Sequence, residues 1–363
     1  MKTKFIIPMV LLAAVAVSGQ QLTHKVSLPK DSPVALISDD WGDSGVSRAF
    51  ALDLHVSLSL RNTSSRRIHG ITLTVVAQEM TAGGKASISV PSLNVAPGDN
   101  FSVRSDLHLL RPLGTGGPQV EVSLDGVLFD DLSFYGPDKL HSRRSMTVWE
   151  LEARRDRKYF KTLLETAGRD GLQKEMLDGL ARQADRPQFG AQGVQIVRGR
   201  TTNIEPGREV QFAFLQLPDA PIEPSAGLAR IAANEVRAPR LQVRNTSNRP
   251  IRHLEIGWIV KDQRGQEMVA ASLPSDLALA PGASSQVLQE ASMKFPQGTA
   301  IQSMSGFVSS VEFADGSFWI PSRTALGAAN LRRVVAPSPE EERLLQIYRK
   351  KGIGGLVEEL KKF

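Results

Sequence analysis

Between Leu52 and Leu60 the chain alternates apolar and polar residues: Leu52, Leu54, Val56, Leu58 and Leu60 against Asp53, His55, Ser57 and Ser59. A period of two places the first set on one face of a β-strand and the second on the other. The pattern breaks at Asn62-Thr63-Ser64 and resumes at Ile71, Leu73 and Val75, which predicts strand, turn, strand. Leu254, Ile256, Trp258 and Val260 show the same alternation later in the chain. Thr81-Ala82-Gly83-Gly84, Asp262-Gln263-Arg264-Gly265, Pro97-Gly98 and Pro281-Gly282 supply further turns, because Gly tolerates the positive φ that such turns require. Val120, Val122 and Leu124 lead into Asp125-Gly126, and Phe307, Val311 and Phe313 into Asp315-Gly316. Asp-Gly is favoured in two-residue hairpins, so each stretch is expected to end in one.

The pattern is written twice. Leu60-Arg61-Asn62-Thr63-Ser64 returns as Val243-Arg244-Asn245-Thr246-Ser247, an offset of 183 (243 − 60 = 183). Ala96-Pro97-Gly98 returns as Ala280-Pro281-Gly282, and Gly168-Arg169-Asp170-Gly171-Leu172 as Gly352-Ile353-Gly354-Gly355-Leu356, both offset by 184 (280 − 96 = 184; 352 − 168 = 184). Asp125-Gly126 set against Asp315-Gly316 needs 190 (315 − 125 = 190), so longer loops are expected in the second copy.

Each copy closes with helical signals. Ser338-Pro339-Glu340-Glu341 combines an N-cap, Pro at the first helical position and an early Glu. Leu344, Leu345, Ile347 and Tyr348 form an apolar stripe, Gly352 is a stop, and Leu356, Val357 and Leu360 begin a second helix. In the first copy Thr147 and Glu150 are read as the capping box, followed by Tyr159, Phe160, Leu163 and Leu164, Gly168 as stop, and Leu172, Met176, Leu177 and Leu180. Helices this short need a surface to pack on, either a neighbouring sandwich or the counterpart pair from the other copy.

A strand, Asn-Thr-Ser, an alternating strand and a Pro-Gly turn together resemble exported bacterial immunoglobulin-like or fibronectin-type β-sandwich modules. That resemblance implies a binding or spacing role and carries no functional residue across. The fold expected is mainly β: two tandem immunoglobulin-like antiparallel sandwiches, each followed by a short helical hairpin. The expected organisation is a signal peptide at 1–19, a flexible lead-in at 20–33, sandwich one at 34–138 and helical segment one at 141–185. A linker at 186–224 follows, in which Val210 to Leu217 alternates enough for a strand, then sandwich two at 225–325 and helical segment two at 338–363.

Length agrees with two cores, since 363 residues exceed one ordinary domain. Lys2, Lys4 and the mostly apolar run Ile6 to Val17 read as an export signal cut after Gly19 or Ala16. The run is too short to span a bilayer, and no mature membrane span is expected. The chain contains no Cys, which excludes disulfides, thiol catalysis and thiolate metal sites. Its net charge of +6 favours anionic envelope surfaces.

Candidate chemistry is sparse. His24, His55, His69, His108, His141 and His253 show no metal-binding spacing, and His55 falls on the outward face of its strand. Asp39, Asp40 and Asp43 form an acidic cluster, the weak candidate set for a calcium ion against a plain polar loop. Gly114-Thr115-Gly116-Gly117 precedes a strand rather than a helix and reads as an inter-strand loop. No Gly-x-Ser-x-Gly elbow occurs. Asn62 and Asn245 match a glycosylation pattern, but turn-forming side chains explain both. Arg154, Arg155, Arg157 and Lys158 read as a solvated helix face, or as a contact for anionic lipid or a wall polymer; nucleic acid is not expected. Trp258 reads as core, and Trp319 with Phe129, taken as its match, as a partner-binding pair if both are exposed.

These readings lead to a periplasmic or extracellular, non-catalytic interaction or scaffold protein without cofactor, whose partner is a protein or an envelope polymer. Its alternatives are a glycan-binding accessory module and a hydrolase with a site in the interdomain cleft. A two-domain pilus chaperone is set aside because a long helical stretch separates the sandwiches.

Overall fold

The computed structural model describes residues 22–48, 51–78, 83–110, 120–187, 194–198, 207–232 and 234–363, so the signal segment and the Gly114–Gly117 loop lie outside the described residues. The chain is mainly β and forms two units, one from residues up to 90 with 95–140, the other from 91–94 with 141–363.

In the first unit the strands are β1 (His24–Ser27), β2 (Val34–Asp40), β3 (Gly45–Arg48), β4 (Ala51–Asn62), β5 (Ile68–Val76), β6 (Lys85–Val90), β7 (Asn100–Leu110), β8 (Val120–Phe129) and β9 (Phe134–Tyr135). One sheet runs β1-β8-β5-β6 with β9 on β8, and the other joins β2, β3 and β7 to β4. The alternation in β4 buries Leu52, Leu54, Val56, Leu58 and Leu60, as do Ile71, Leu73 and Val75 in β5. The lead-in is partly ordered: β1 pairs in parallel with β8, and the His24 ring stacks on Trp41 at 4.4 Å.

The second unit begins with α1 (Ser142–Asp185) and continues through β10 (Gln195–Arg198), β11 (Arg208–Phe214), β12 (Ile222–Ala232), β13 (Glu235–Asn245), β14 (Ile251–Asp262), β15 (Glu267–Leu279), β16 (Ser284–Leu288), β17 (Ala291–Lys294), β18 (Ile301–Phe313) and β19 (Phe318–Trp319). It ends with α2 (Arg323–Ala328) and α3 (Pro339–Leu360). Here the strands make one ten-stranded, nearly closed, barrel-like sheet in place of two separate sheets. The cause is β11, whose first residues pair with β12 and whose Ala213 and Phe214 pair with β18, linking what β1 leaves apart in the first unit. The stretch expected as a linker therefore contributes β10, β11 and the start of β12. Trp258 is fully buried, edge-on to Phe212 at 4.7 Å, and its indole N–H donates to Gln289 at 2.9 Å.

The two Asn-Thr-Ser corners are built alike. Asn62 Nδ2 donates to the Arg66 and Val95 carbonyls (2.8 and 3.1 Å), and Asn245 Nδ2 to those of Arg249 and Leu279 (2.8 and 3.1 Å). Each Asn Oδ1 accepts from the Ser two residues on, through its amide and its hydroxyl. Both Asn side chains are fully buried, which suits the turn role and leaves no room for a glycan.

The terminal hairpins correct the expected pairing of copies. Arg66 lies over Phe129 at 3.7 Å and pairs with Asp131; Arg249 lies over Phe313 at 3.8 Å and pairs with Asp315. Phe129 thus corresponds to Phe313, and Trp319 to Tyr135, at the same offset as the other repeats (313 − 129 = 184; 319 − 135 = 184). The Asp125-Gly126 dipeptide is no turn: it lies within β8, where a Cβ on Gly126 would come within 2.0 Å of the Phe134 ring. Close packing, not hairpin geometry, requires that glycine.

The helical tails share one core. Gly168 (φ 66°, ψ −166°) interrupts α1 and Gly352 (φ 65°, ψ −169°) interrupts α3, a conformation essentially confined to glycine. Phe160, Leu172 and Met176 of α1 pack with Leu344, Leu345, Leu356, Val357 and Leu360 of α3. Ser338 caps α3 by accepting from the Glu341 amide at 3.0 Å. The expected Thr147 cap fails: α1 starts at Ser142, and Thr147 donates back to the Arg143 carbonyl at 2.7 Å within the helix.

Candidate functional site

The strand β7 is the longest strand of the first unit that pairs on one side only among the described residues. Among the described residues it pairs with β4 alone, from Asn100 opposite Arg61 to Leu110 opposite Ala51. In the second unit β16 and β17 occupy the corresponding place beside β13, and there β10 covers β17 in antiparallel register, Gln195 opposite Lys294 through Arg198 opposite Ala291. The second copy thus has the β17 half of this edge covered and its β16 half open, whereas no described strand pairs with the outer side of β7.

The outer face beside that edge is a ladder of histidine and aspartate. His55 Nδ1 meets Asp106 at 2.8 Å and His108 Nδ1 meets Asp53 at 2.6 Å, each across the β4–β7 pairing. The Asp106 hydrogen bond, helped by Asp43 and Asp53, holds the His55 ring above its ordinary value in spite of partial desolvation. Hydrogen bonds from His108 and Ser47 hold Asp53 below its own. The alternation in β4 that buries its leucines places these side chains outward.

The acidic cluster Asp39, Asp40 and Asp43 does not converge. Asp39 accepts from the Trp41 indole (2.7 Å) and lies 3.0 Å from His24 Nε2, Asp40 accepts from the Gly42 amide (3.0 Å), and Asp43 lies 3.5 Å from His55 Nε2. Of the two rings expected as a pair, Phe129 is buried, because Arg66 and the Ile68 pairing enclose it. Trp319 is half-buried against the second unit's core.

The basic helix face also needs correction. Arg154 and Lys158 are exposed, but Arg155 and Arg157 turn inward. Arg155 donates to both oxygens of the fully buried Asp156 (3.0 and 3.1 Å), which also accepts from Arg323 (3.1 Å) and Ser338 (2.6 Å). Burial opposes ionisation of Asp156, but the Arg155 hydrogen bonds and the Arg155 and Arg323 charges prevail and hold it low. Arg157 pairs with Glu150 (3.1 Å) and with Glu340 (3.5 Å), the counterpart of Asp156 in the second copy (340 − 156 = 184). Sequence reading missed this cluster because its acids and bases come from α1, α2 and α3, far apart along the chain. The only available signal was the repetition of an acidic residue at that offset.

Beside the cluster, within the second unit, lies a cavity of about 370 Å³ bounded by α1, by β14, β15 and β18, and by the segment from Pro321 to Leu345. Glu152 and Glu255 both line it, from the helix and the sheet respectively. Burial pushes Glu152 up to about 7, against the lowering field of Arg155, and burial also raises Glu255. No group of three or more His, Asp and Glu among the described residues has the arrangement of a metal site. No helix of the described residues is long and apolar enough to cross a membrane.

No protein-family model matches the chain, and no curated protein matches it. Among solved structures it is similar to β-glucosidase from Kluyveromyces marxianus, labelled with selenomethionine (9% identity, TM-score 0.18, covering 70% of this chain and 45% of that one) and in complex with glucose (9%, 0.18, 71% and 44%). Red sea bream transglutaminase aligns at 10% identity and a TM-score of 0.13, over 78% of this chain and 29% of its own. The chain thus spans less than half the length of these structures, and likeness at this level carries no function.

Proposed function

We propose that the chain is an exported, non-catalytic interaction protein of the cell envelope, built from two tandem immunoglobulin-like modules that present their surfaces to a protein partner. The observation that carries this reading is the unequal treatment of one edge: β10 covers β17 in the second unit, while in the first no described strand pairs with the outer side of β7, where the Leu110 amide alone donates to the Gly83 carbonyl among the described residues. An exposed edge is a template for strand addition, in which main-chain hydrogen bonds give affinity and alternate side chains give selectivity. The sequence counterpart of β10 falls at residues 11–14, inside the stretch read as an export signal. Removing that signal leaves the first copy without a strand to place there, and a partner's extended segment takes the position.

A photo-crosslinking residue placed at Arg104 on β7, and separately at Lys294 on β17, tests this in the native host. Position 104 is expected to yield an adduct with one partner protein and position 294 only adducts within the chain. Partner adducts from 294 alone, or none from 104, contradict strand addition. N-terminal sequencing of the mature protein is expected to start at Gln20, and an intact Met1 contradicts export.

A further inference from the structure

We propose that the cavity of the second unit binds a small organic amine, its ammonium group placed between Glu152 and Glu255 and its apolar body against Trp149 and Phe307. Both carboxyl groups line the cavity, Glu152 from α1 and Glu255 from β14, and neither forms an ion pair among the described residues. Glu255 accepts only from the Ser310 hydroxyl at 3.3 Å, and Glu152 makes no side-chain hydrogen bond among the described residues.

Four of the five arginines of the same walls are engaged elsewhere. Arg155 donates to Asp156 and to the Pro321 carbonyl (3.0 Å), Arg323 to Asp156, Glu175 and Glu341, and Arg182 and Arg332 to Glu175. The fifth, Arg186, forms no ion pair among the described residues: its Nε is buried without a hydrogen-bond partner, and burial lowers its affinity for a proton in spite of the fields of Glu341 and Glu342. What the open volume meets without an ion pair is therefore two carboxyl groups and one guanidinium, that of Arg186, so that with both carboxyl groups ionised the balance is negative charge in a poorly solvated place. Such a group is costly until a cation meets it, which is the strongest physical reason for a ligand ammonium to enter. A volume of about 370 Å³ accommodates a ligand of small-molecule size, and aromatic walls favour a cation carrying an apolar body.

Ionisation of Glu152 gives the binding a pH signature. Its neighbours are Arg155 and Asp156 on its own helix, Glu255 on the sheet, Glu341 on α3 and, through the Asp156 cluster, Arg323 on α2. A carboxyl group that titrates near 7 is mostly neutral at pH 6 and mostly ionised at pH 8, so amine affinity rises with pH by roughly tenfold over that interval.

Titration calorimetry on the full chain with 2-phenylethylamine, 2-phenylethanol and phenylacetate tests the proposal. The amine is expected to bind at pH 8, to weaken roughly tenfold at pH 6, and to weaken at least as much at pH 8 in Glu152→Gln and in Glu255→Gln. The alcohol is expected to show no pH dependence. Thermal unfolding separates loss of the site from loss of the fold: Glu152→Gln removes a buried ionising group, so its Tm is expected to exceed that of the parent chain at pH 8 and to equal it at pH 4. Tighter binding of phenylacetate than of the amine, an amine affinity unchanged in either variant, or no binding by the amine at pH 8 overturns the proposal.

Discussion

Replacing Asp156 with alanine is expected to destabilise the second unit by about 3–5 kcal/mol, the cost of removing one partner from a buried charge cluster. Asp156 is fully buried and accepts from Arg155, Arg323 and Ser338, which belong to α1, to α2 and to the N-cap of α3. Its loss takes from Arg155 its carboxylate partner where little water reaches it, and removes a carboxylate that links α1, α2 and the N-cap of α3. Arg323 keeps Glu341 and Glu175, so the effect stays within that range rather than abolishing the fold. Chemical denaturation followed by helical circular dichroism measures it. The same substitution in an Arg323→Met background is expected to cost less than the sum of the two single changes, because fewer charges are then left unpaired.

The second large effect lies at the two corners. Asn62→Ala and Asn245→Ala each remove two side-chain donors to buried carbonyls and the acceptor that orients a serine. At about 1 kcal/mol per lost hydrogen bond, with a further penalty for carbonyls left unsatisfied, each is expected to cost about 3–4 kcal/mol. Hydrogen exchange locates the damage: Asn62→Ala is expected to lower protection in β4 and β5, and Asn245→Ala in β13 and β14. Asn→Asp at either position keeps the acceptor but loses both donors, and is expected to rescue little. A change below about 1 kcal/mol in either variant shows that the corner is held by its backbone alone.

The parts of this architecture legible from sequence are those that depend on local periodicity. Leucines at every second position of β4 could be buried only on one face, and Ser338-Pro339 could start a helix because its hydroxyl meets an amide three residues on. The repeat of Asn-Thr-Ser was legible for the same reason, since the corner is closed by residues within a few positions of it. What sequence reading missed depends on distant partners. Gly126 looked like half of a turn because its reason for being glycine, the Phe134 ring, is a packing contact that no dipeptide rule contains. Arg155 and Arg157 looked solvated because Asp156 alone could not show that Arg323 and Glu340 would enclose them. The same holds for β10 and β11: strands that pair with β17 and β18 from the far side of a sheet carry no local mark of it.

At the centre of this architecture is the helical core that joins equivalent positions of the two copies. Phe160, Leu172 and Met176 correspond to Leu344, Leu356 and Leu360, each 184 positions later (344 − 160 = 184; 356 − 172 = 184; 360 − 176 = 184), and all six are buried together. Burying three such side chains is worth about 5–8 kcal/mol in total, as much as the whole stability of many domains. The fragments 141–363 and 186–363, unfolded in parallel with urea, read this contribution directly. The longer fragment is expected to unfold in one cooperative step and the shorter one to lose that step, exposing Leu344 and Leu356 to solvent. Equal midpoints and slopes for the two fragments would contradict a core shared between α1 and α3.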